Sequence, residues 1–175
     1  YIGHTGWYKN ITDLEKIAQK LPGTEFAWIG GNQILKNIKT LGKYDFSSQE
    51  AKNLIQEYDF MITLGSADAN PTTILEAMAW GLIPVCSVQS GYAGFPSIQN
   101  IAIDCINDSL ETIKYLQSVP DEKLKKWQKE NLTELDKHFN WDRFCDQVLY
   151  EIENEKSPNL NETNLKQRLE LFFAE

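Results

Sequence analysis

A run of four residues, Asn70-Pro71-Thr72-Thr73, has the composition of a helix start. Asn is favoured at the N-cap and proline at the first helical position, so we expect Asn70 to cap a helix that Pro71 opens. The backbone N–H groups of Thr72 and Thr73 would then lack intrahelical acceptors and point outward at the positive end of the helix dipole. A diphosphate can bind at such a helix start.

Two acids, Asp68 and Glu76, lie on either side of this helix start, with seven residues between them. Because helical side chains lean toward the N-terminus, the Glu76 carboxylate would lie about one turn behind a bound phosphate. There it could accept hydrogen bonds from the vicinal hydroxyls of a ribose. Asp68 could bind the hydroxyls of a transferred sugar, or form an Asx turn within its own loop. The alternative for the whole stretch is a well-capped helix of the core.

A second candidate loop, residues 3–10 with the sequence GHTGWYKN, follows the first apolar segment. Gly3 and Gly6 permit a tight turn close to a ligand, and the ammonium of Lys9 could reach a phosphate. His4 is either a hydrogen-bond donor to that phosphate or a polar residue at a strand end. The loop lacks the third glycine of a dinucleotide-binding fingerprint, and Lys9 could instead be one of many solvated lysines.

The elements around these loops alternate between short apolar segments and amphipathic ones. This pattern predicts an α/β fold with a doubly wound, Rossmann-like parallel sheet covered by helices on both faces. Ligands of such sheets bind at the carboxyl ends of the strands, where the two candidate loops begin. We predict six strands, at residues 1–3, 26–30, 37–41, 60–64, 83–88 and 101–104.

Helix boundaries can also be read from the sequence. Thr12 with Glu15, and Ser47 with Glu50, form capping-box pairs that predict helix starts. Beyond the last strand the chain reads as wholly helical, at residues 108–117, 120–139 and 141–153. A break at Ser157-Pro158-Asn159 leads us to predict a ligand-binding, Rossmann-like domain over residues 1–156 and a helical C-terminal tail over residues 157–175.

The composition of the chain limits the kinds of binding partner that we expect. The 175 residues include 17 Lys and Arg against 25 Asp and Glu, a formal net charge of −8, and the basic residues are scattered, which argues against a nucleic-acid partner. We read no signal peptide and no apolar run long enough to span a membrane, and so expect a cytoplasmic protein without membrane contact.

The three cysteines match no metal motif and are expected to be reduced, buried thiols. The opening Tyr1-Ile2-Gly3 reads as the inside of a strand, as expected for part of a longer protein.

One segment resembles a known family signature. The sequence LEAMAWGLIPV, residues 75–85, resembles the most specific motif of the retaining GT-B glycosyltransferases of group 1, or family 4. That family includes sucrose synthases, glycogen synthases and bacterial capsule and lipopolysaccharide sugar transferases, so the resemblance suggests polysaccharide biosynthesis. It extends from Tyr1 to about Tyr150 and is to the C-terminal, donor-binding domain. The sequence Phe139-Asn140-Trp141 is similar to the family's aromatic-Ser-Trp mark.

The resemblance implies roles for several residues. Glu76 would bind the nucleotide ribose, Asp68 would contact the donor sugar near the reacting centre, and Lys9 would bind the diphosphate. Asp68 stands where the family usually has Glu, and His4 stands where it typically has Arg. The histidine replaces a permanent cation, so stabilisation of the leaving diphosphate would be weaker or would depend on protonation.

Gly91 and Gly94 in the segment SGYAG stand where the family keeps a Gly-rich loop beside the donor sugar, although an ordinary strand-to-helix turn would also use them. The catalytic residues implied are Asp68, Lys9 and His4. The whole predicted donor site comprises Gly3, His4, Lys9, Asp68, Asn70, Thr72, Thr73, Glu76, Gly91 and Gly94.

The implied function is transfer of a hexosyl unit from a nucleotide sugar, with UDP favoured, to a glycan, lipid or other acceptor with retention of configuration. No metal and no cofactor are implied, because the sugar nucleotide is a substrate. The acceptor would bind to an N-terminal domain outside this chain. The alternatives are a catalytically silent nucleotide-sugar-binding or scaffold domain, a GT-B sugar-nucleotide 2-epimerase and, least favoured, a flavodoxin-like interaction module.

Overall fold

The computed structural model describes residues 1–68 and 71–154. Residue contacts divide the chain into two compact units, Tyr1–His138 and Phe139–Glu175. All the strands belong to the first unit, and one helix is the described part of the second. The predicted boundary after residue 156, the C-terminal tail and the proposed cap Asn70 lie outside the described residues.

The elements alternate between strands and helices, which confirms the predicted α/β class. Short 3₁₀ turns at Trp7–Lys9 and Val88–Ser90 follow the first and fifth apolar segments. In chain order the elements are α1 (Ile11–Lys20), β1 (Ala27–Ile29), β2 (Lys39–Gly42), α2 (Gln49–Ile55), β3 (Phe60–Thr63), α3 (Thr72–Ala79), β4 (Ile83–Cys86), β5 (Gln99–Asn100), α4 (Ile106–Gln117), α5 (Asp121–His138) and α6 (Trp141–Asn154).

All strand pairs are parallel, and they form two sheets rather than one sheet of six strands. One sheet has the order β1-β2 and the other has the order β3-β4-β5. The segment 1–3 joins β1 through a bridge between Ile2 and Ile29. Its backbone bonds are Gly3 N–H to Ile29 O at 2.9 Å and Ile29 N–H to Tyr1 O at 3.0 Å. The opening segment therefore pairs with β1 as a strand would, but through a single bridge.

The predicted strand at residues 101–104 is wrong. The strand lies two residues earlier, at Gln99–Asn100, and its last bond to β4 is Ile101 N–H to Cys86 O at 3.0 Å. The Ala102 carbonyl already accepts a hydrogen bond from the Ser109 hydroxyl of α4 at 2.6 Å. The apolar residues that suggested a strand here face the hydrophobic core instead.

Two predicted helix caps are also displaced. The first helix begins at Ile11 after Asn10, which has φ 52°, and Glu15 accepts a bond from the Lys36 N–H at 2.6 Å instead of closing a capping box. The second helix is capped by Ser48, one residue after Ser47, through the Ala51 N–H at 3.2 Å. The last three helices lie within two residues of their predicted bounds.

Two helix pairs, α1 with α4 and α3 with α5, pack around the strands. The core residues come from both kinds of element, since the strand residues Ile62, Ile83 and Val85 belong to the same buried cluster as residues of α1, α4 and α5. Strands this short and apolar need such cover, because parallel sheets bury both faces.

Gly30 marks a close approach between β1 and the opening segment. The indole N–H of Trp28 donates to the Gly3 carbonyl at 2.7 Å. A Cβ atom on Gly30 would lie 2.0 Å from the Gly3 oxygen, well inside van der Waals contact.

We therefore expect Gly30→Ala to destabilise the fold by about 1–3 kcal/mol, the usual cost of overpacking. Urea unfolding would measure the free energy difference from wild type. Gly23→Ala is the matched control, because a Cβ there meets nothing within 4 Å. Equal stabilities of the two variants would contradict the close approach.

Candidate functional site

The two candidate loops meet at the carboxyl ends of the strands. The Tyr8 carbonyl, in the loop after residues 1–3, accepts bonds from the Ser66 N–H at 2.8 Å and from the Ser66 hydroxyl at 3.2 Å. The Asn10 side-chain amide donates to the Leu64 carbonyl at 2.8 Å. Ser66 and Leu64 belong to the segment that follows β3, so loops nearly 60 residues apart form one edge.

Lys9 and Asp68 form an ion pair between these loops. The Lys9 ammonium donates to the Asp68 carboxylate, and the two side chains are only 10% and 21% exposed. The ring of Tyr8 lies 5.3 Å from the ammonium. The residue predicted to bind the diphosphate thus contacts the residue predicted to bind the sugar. A diphosphate could reach Lys9 only by sharing it with Asp68 or by replacing Asp68.

His4 is exposed, and both of its ring nitrogens are used within its own loop. Its Nδ1 accepts a bond from the Gly6 N–H at 3.0 Å, and its Nε2 lies 2.9 Å from the Tyr8 hydroxyl. The two rings meet edge to face, with centroids 5.5 Å apart. Within the described chain, His4 contacts Tyr8 rather than the ion pair.

The start of α3 differs by one residue from the prediction. Pro71 occupies the N-cap, with φ −62° and ψ 119°, and Thr72 is the first helical residue. The earliest turn bond is Ile74 N–H to Pro71 O at 3.0 Å, so no described residue accepts a bond from the Thr72 or Thr73 N–H. Among the described residues these two N–H groups are therefore without acceptors, and their role as phosphate donors stays a prediction.

Glu76 lies on the exposed side of α3, one turn beyond Thr72. The same helix buries Ile74, Ala77 and Met78. Helical periodicity therefore directs the carboxylate away from the core, as a ligand-binding role requires.

A third loop, following β4, is tied to the other two. The Ser87 hydroxyl donates to the Gly65 carbonyl and lies 3.2 Å from the Ser90 hydroxyl. The Tyr92 hydroxyl donates to the Pro71 carbonyl at 3.4 Å. These bonds hold both ends of the segment that leads into α3. Sequence reasoning missed these residues, and the one available signal was their position just after buried strands.

The three glycines of the predicted site have positive φ angles. Gly3, Gly91 and Gly94 have φ angles of 135°, 81° and 93°. Gly91 ends the 3₁₀ turn at Val88–Ser90, and a Cβ on Gly94 would meet nothing within 4 Å. Backbone conformation alone therefore accounts for Gly91 and Gly94 as turn residues.

Comparison with known proteins bears on the fold. No family model and no curated protein matches the sequence. A solved UDP-forming α,α-trehalose-phosphate synthase from Burkholderia xenovorans is similar with a TM-score of 0.69 and 12% identity, over 87% of this chain and 44% of that one. An α,α-trehalose 6-phosphate synthase from Burkholderia multivorans has a TM-score of 0.70 and 11% identity, over 95% and 43% of the two chains.

WaaG, a glycosyltransferase involved in lipopolysaccharide biosynthesis, has a TM-score of 0.59 and 14% identity, over 77% of this chain and 42% of its own. The chain shares the fold of one part of these GT-B glycosyltransferase structures. It spans less than half the length of these structures. The expected resemblance in fold to GT-B glycosyltransferases is confirmed.

Residues 1–68 and 71–154 contain neither a cluster of metal ligands nor a membrane-spanning helix. No three His, Cys, Asp or Glu side chains there are grouped as metal ligands. None of the helices in the same ranges has both the length and the apolar character needed to cross a bilayer. A cavity of about 750 Å³ lies mainly beside the amino ends of β1 to β3, next to Phe26, Lys39 and Phe60, so it is separate from the candidate site.

Two groups near the site are held in their neutral forms. Burial raises the pKa of the Cys86 thiol to about 11. Burial, with smaller contributions from Cys86 and Asp68, raises the pKa of Tyr92 to about 12. Cys86 is therefore a poor nucleophile, because the thiolate is the reactive form. The expectation of buried thiols is correct for Cys86 and wrong for Cys145, which is exposed.

The raised thiol pKa predicts how stability depends on pH. The unfolded thiol ionises near pH 9 and the folded thiol near pH 11, so the folded state keeps its proton longer and loses stability as the pH rises through this window. The loss is on the order of 3 kcal/mol, since each pKa unit corresponds to about 1.4 kcal/mol. Urea unfolding at several pH values should show a smaller decline for Cys86→Ala than for wild type. Parallel declines would contradict the prediction.

Proposed function

We propose that this chain is the donor-binding half of a glycosyltransferase that moves a hexosyl unit from a nucleotide sugar, preferably a UDP-sugar, to a glycan, lipid or other acceptor with retention. The observation that supports the proposal is the Lys9–Asp68 ion pair, which joins the loop after residues 1–3 to the segment that leads into α3. An N-terminal domain outside this chain would bind the acceptor and close the cleft.

The diphosphate would rest on the Thr72 and Thr73 N–H groups, at the positive end of the α3 dipole. Glu76, exposed one turn further along, would accept hydrogen bonds from the ribose hydroxyls. These contacts fix the nucleotide and stabilise the negative charge that develops on the departing diphosphate. The chain's own contribution to catalysis is therefore positioning and electrostatic stabilisation.

The ion pair would couple sugar binding to phosphate binding. Sugar hydroxyls that bond to Asp68 would compete for the carboxylate and so release part of the Lys9 ammonium toward the diphosphate. In the absence of ligand, the pair neutralises both charges in a site that is mostly shielded from water.

A catalytically silent nucleotide-sugar-binding domain is the second candidate. The observation that favours it is that Lys9 is paired and both His4 nitrogens are engaged, which leaves residues 3–10 without an unpaired cationic side chain. Nucleotide-sugar binding without transfer in a protein that includes the acceptor domain would distinguish it from an active transferase.

The first test is a titration with UDP-glucose and GDP-mannose, followed by thermal shift and by NMR. We expect wild type to bind one nucleotide class and Glu76→Ala to bind it at least tenfold more weakly, because hydrogen bonds to a charged group contribute about 1.5–3 kcal/mol. Glu111→Ala, on the exposed face of α4, is the control. Absence of binding by wild type, or equal binding by Glu76→Ala, would sink the donor-site assignment.

The second test removes the charge of Asp68 with Asp68→Asn. Freed from its partner, Lys9 should bind the diphosphate better, so we expect affinity for UDP to rise about fivefold, equivalent to about 1 kcal/mol. The additional affinity for UDP-glucose over UDP should fall, because the sugar loses its carboxylate ligand. Isothermal titration calorimetry would measure both. Asp13→Asn, which breaks the surface pair with Lys16, is the control, and an unchanged UDP affinity for Asp68→Asn would contradict the coupling.

A further inference from the structure

We infer that Tyr8 is a further ligand-binding residue of this site, whose hydroxyl donates a hydrogen bond to a phosphate oxygen, and that His4 is the residue that positions it. The inference rests on the proposed function, because the phosphate is that of the bound nucleotide. It assigns Tyr8 a role that the sequence did not suggest and gives His4 a role other than direct contact with the phosphate.

The hydrogen-bond pattern determines which atom carries each proton. The Gly6 N–H donates to His4 Nδ1 at 3.0 Å, so Nδ1 must be an unprotonated acceptor. A neutral imidazole then carries its proton on Nε2, and this N–H donates to the Tyr8 hydroxyl oxygen at 2.9 Å. The Tyr8 hydroxyl keeps its own hydrogen, for which no described residue is an acceptor.

The backbone of Tyr8 is held firmly beside the ion pair. Its 3₁₀ turn is closed by the Lys9 N–H bond to Gly6 O at 2.9 Å, and its carbonyl accepts both bonds from Ser66. The ring lies against the Lys9 ammonium, whose other contact is the Asp68 carboxylate. The backbone of Tyr8 is therefore bonded to Ser66, and its neighbour Lys9 is bonded to Asp68, in the segment that leads into α3.

The remaining hydrogen on Tyr8 favours a ligand that can only accept. A phosphate oxygen is such an acceptor, and a bond from a neutral hydroxyl to an anionic oxygen is stronger than one between neutral groups. Accepting a bond from His4 also polarises the phenol and improves it as a donor. Because Asp68 and the Tyr8 ring cover Lys9, the phenol is a donor that a phosphate could reach without first breaking the ion pair.

The test uses Tyr8→Phe in the full chain, which keeps the ring beside Lys9 and removes only the hydroxyl. We expect affinity for UDP to fall about tenfold, and affinity for uridine, which has no phosphate, to stay unchanged, as measured by NMR titration. GDP and guanosine form the same pair of probes if the protein prefers guanine. The matched control is Tyr115→Phe on α4, and circular dichroism melting would verify that each variant folds.

The role of His4 is tested by a double-mutant cycle. His4→Ala should weaken UDP binding about threefold in wild type and have no further effect in Tyr8→Phe, because its action passes through the hydroxyl. Unchanged UDP binding by Tyr8→Phe, or an equal loss for uridine, would overturn the assignment of Tyr8. A full His4→Ala effect in the Tyr8→Phe background would overturn the positioning role. If wild type binds neither nucleotide, the proposed function itself fails, which is a separate result.

Discussion

The two hydrogen bonds from Ser66 to the Tyr8 carbonyl are the contact on which the site depends. They join the loop after residues 1–3, which carries Lys9, to the loop after β3, which carries Asp68. The loop after β4 adds the Ser87 and Tyr92 bonds to the same segment. A site made of three loops keeps its geometry only if the loops are fixed to one another, and here backbone carbonyls provide the fixed points.

The charged side chains Lys9 and Asp68 at this edge neutralise each other. A chain with a net charge of −8 has no long-range attraction for a phosphorylated ligand, so any affinity for phosphate must come from local donors. The mostly buried Lys9 and Asp68 balance each other, since an unpaired charge with so little exposure would be costly. Among the described residues, the N–H groups at the start of α3 and the hydroxyl of Tyr8 are neutral donors without a described acceptor.

The helix α3 shows how packing and function share one element. Ile74, Ala77 and Met78 are buried, while Thr72 and Glu76 face outward. The apolar side packs with α5 and holds the helix in place, so its free end is presented at a constant position. The raised pKa values of Cys86 and Tyr92 have the same origin, because the loop after β4 is packed tightly enough to disfavour any charge.

The sequence by itself determined the α/β alternation, the position of α3 to within one residue and the outward face of Glu76, because turn residues and helical periodicity are local properties. It could not show that the strand lies at residues 99–100 rather than at 101–104. The apolar side chains of the second segment are buried in the core although that segment is not a strand. Only the tertiary structure decided that Lys9 pairs with Asp68, that His4 contacts Tyr8 and that Trp28 bonds to Gly3. Such contacts depend on which loops meet at the sheet edge and on the rotamers that fit there, and local sequence patterns encode neither.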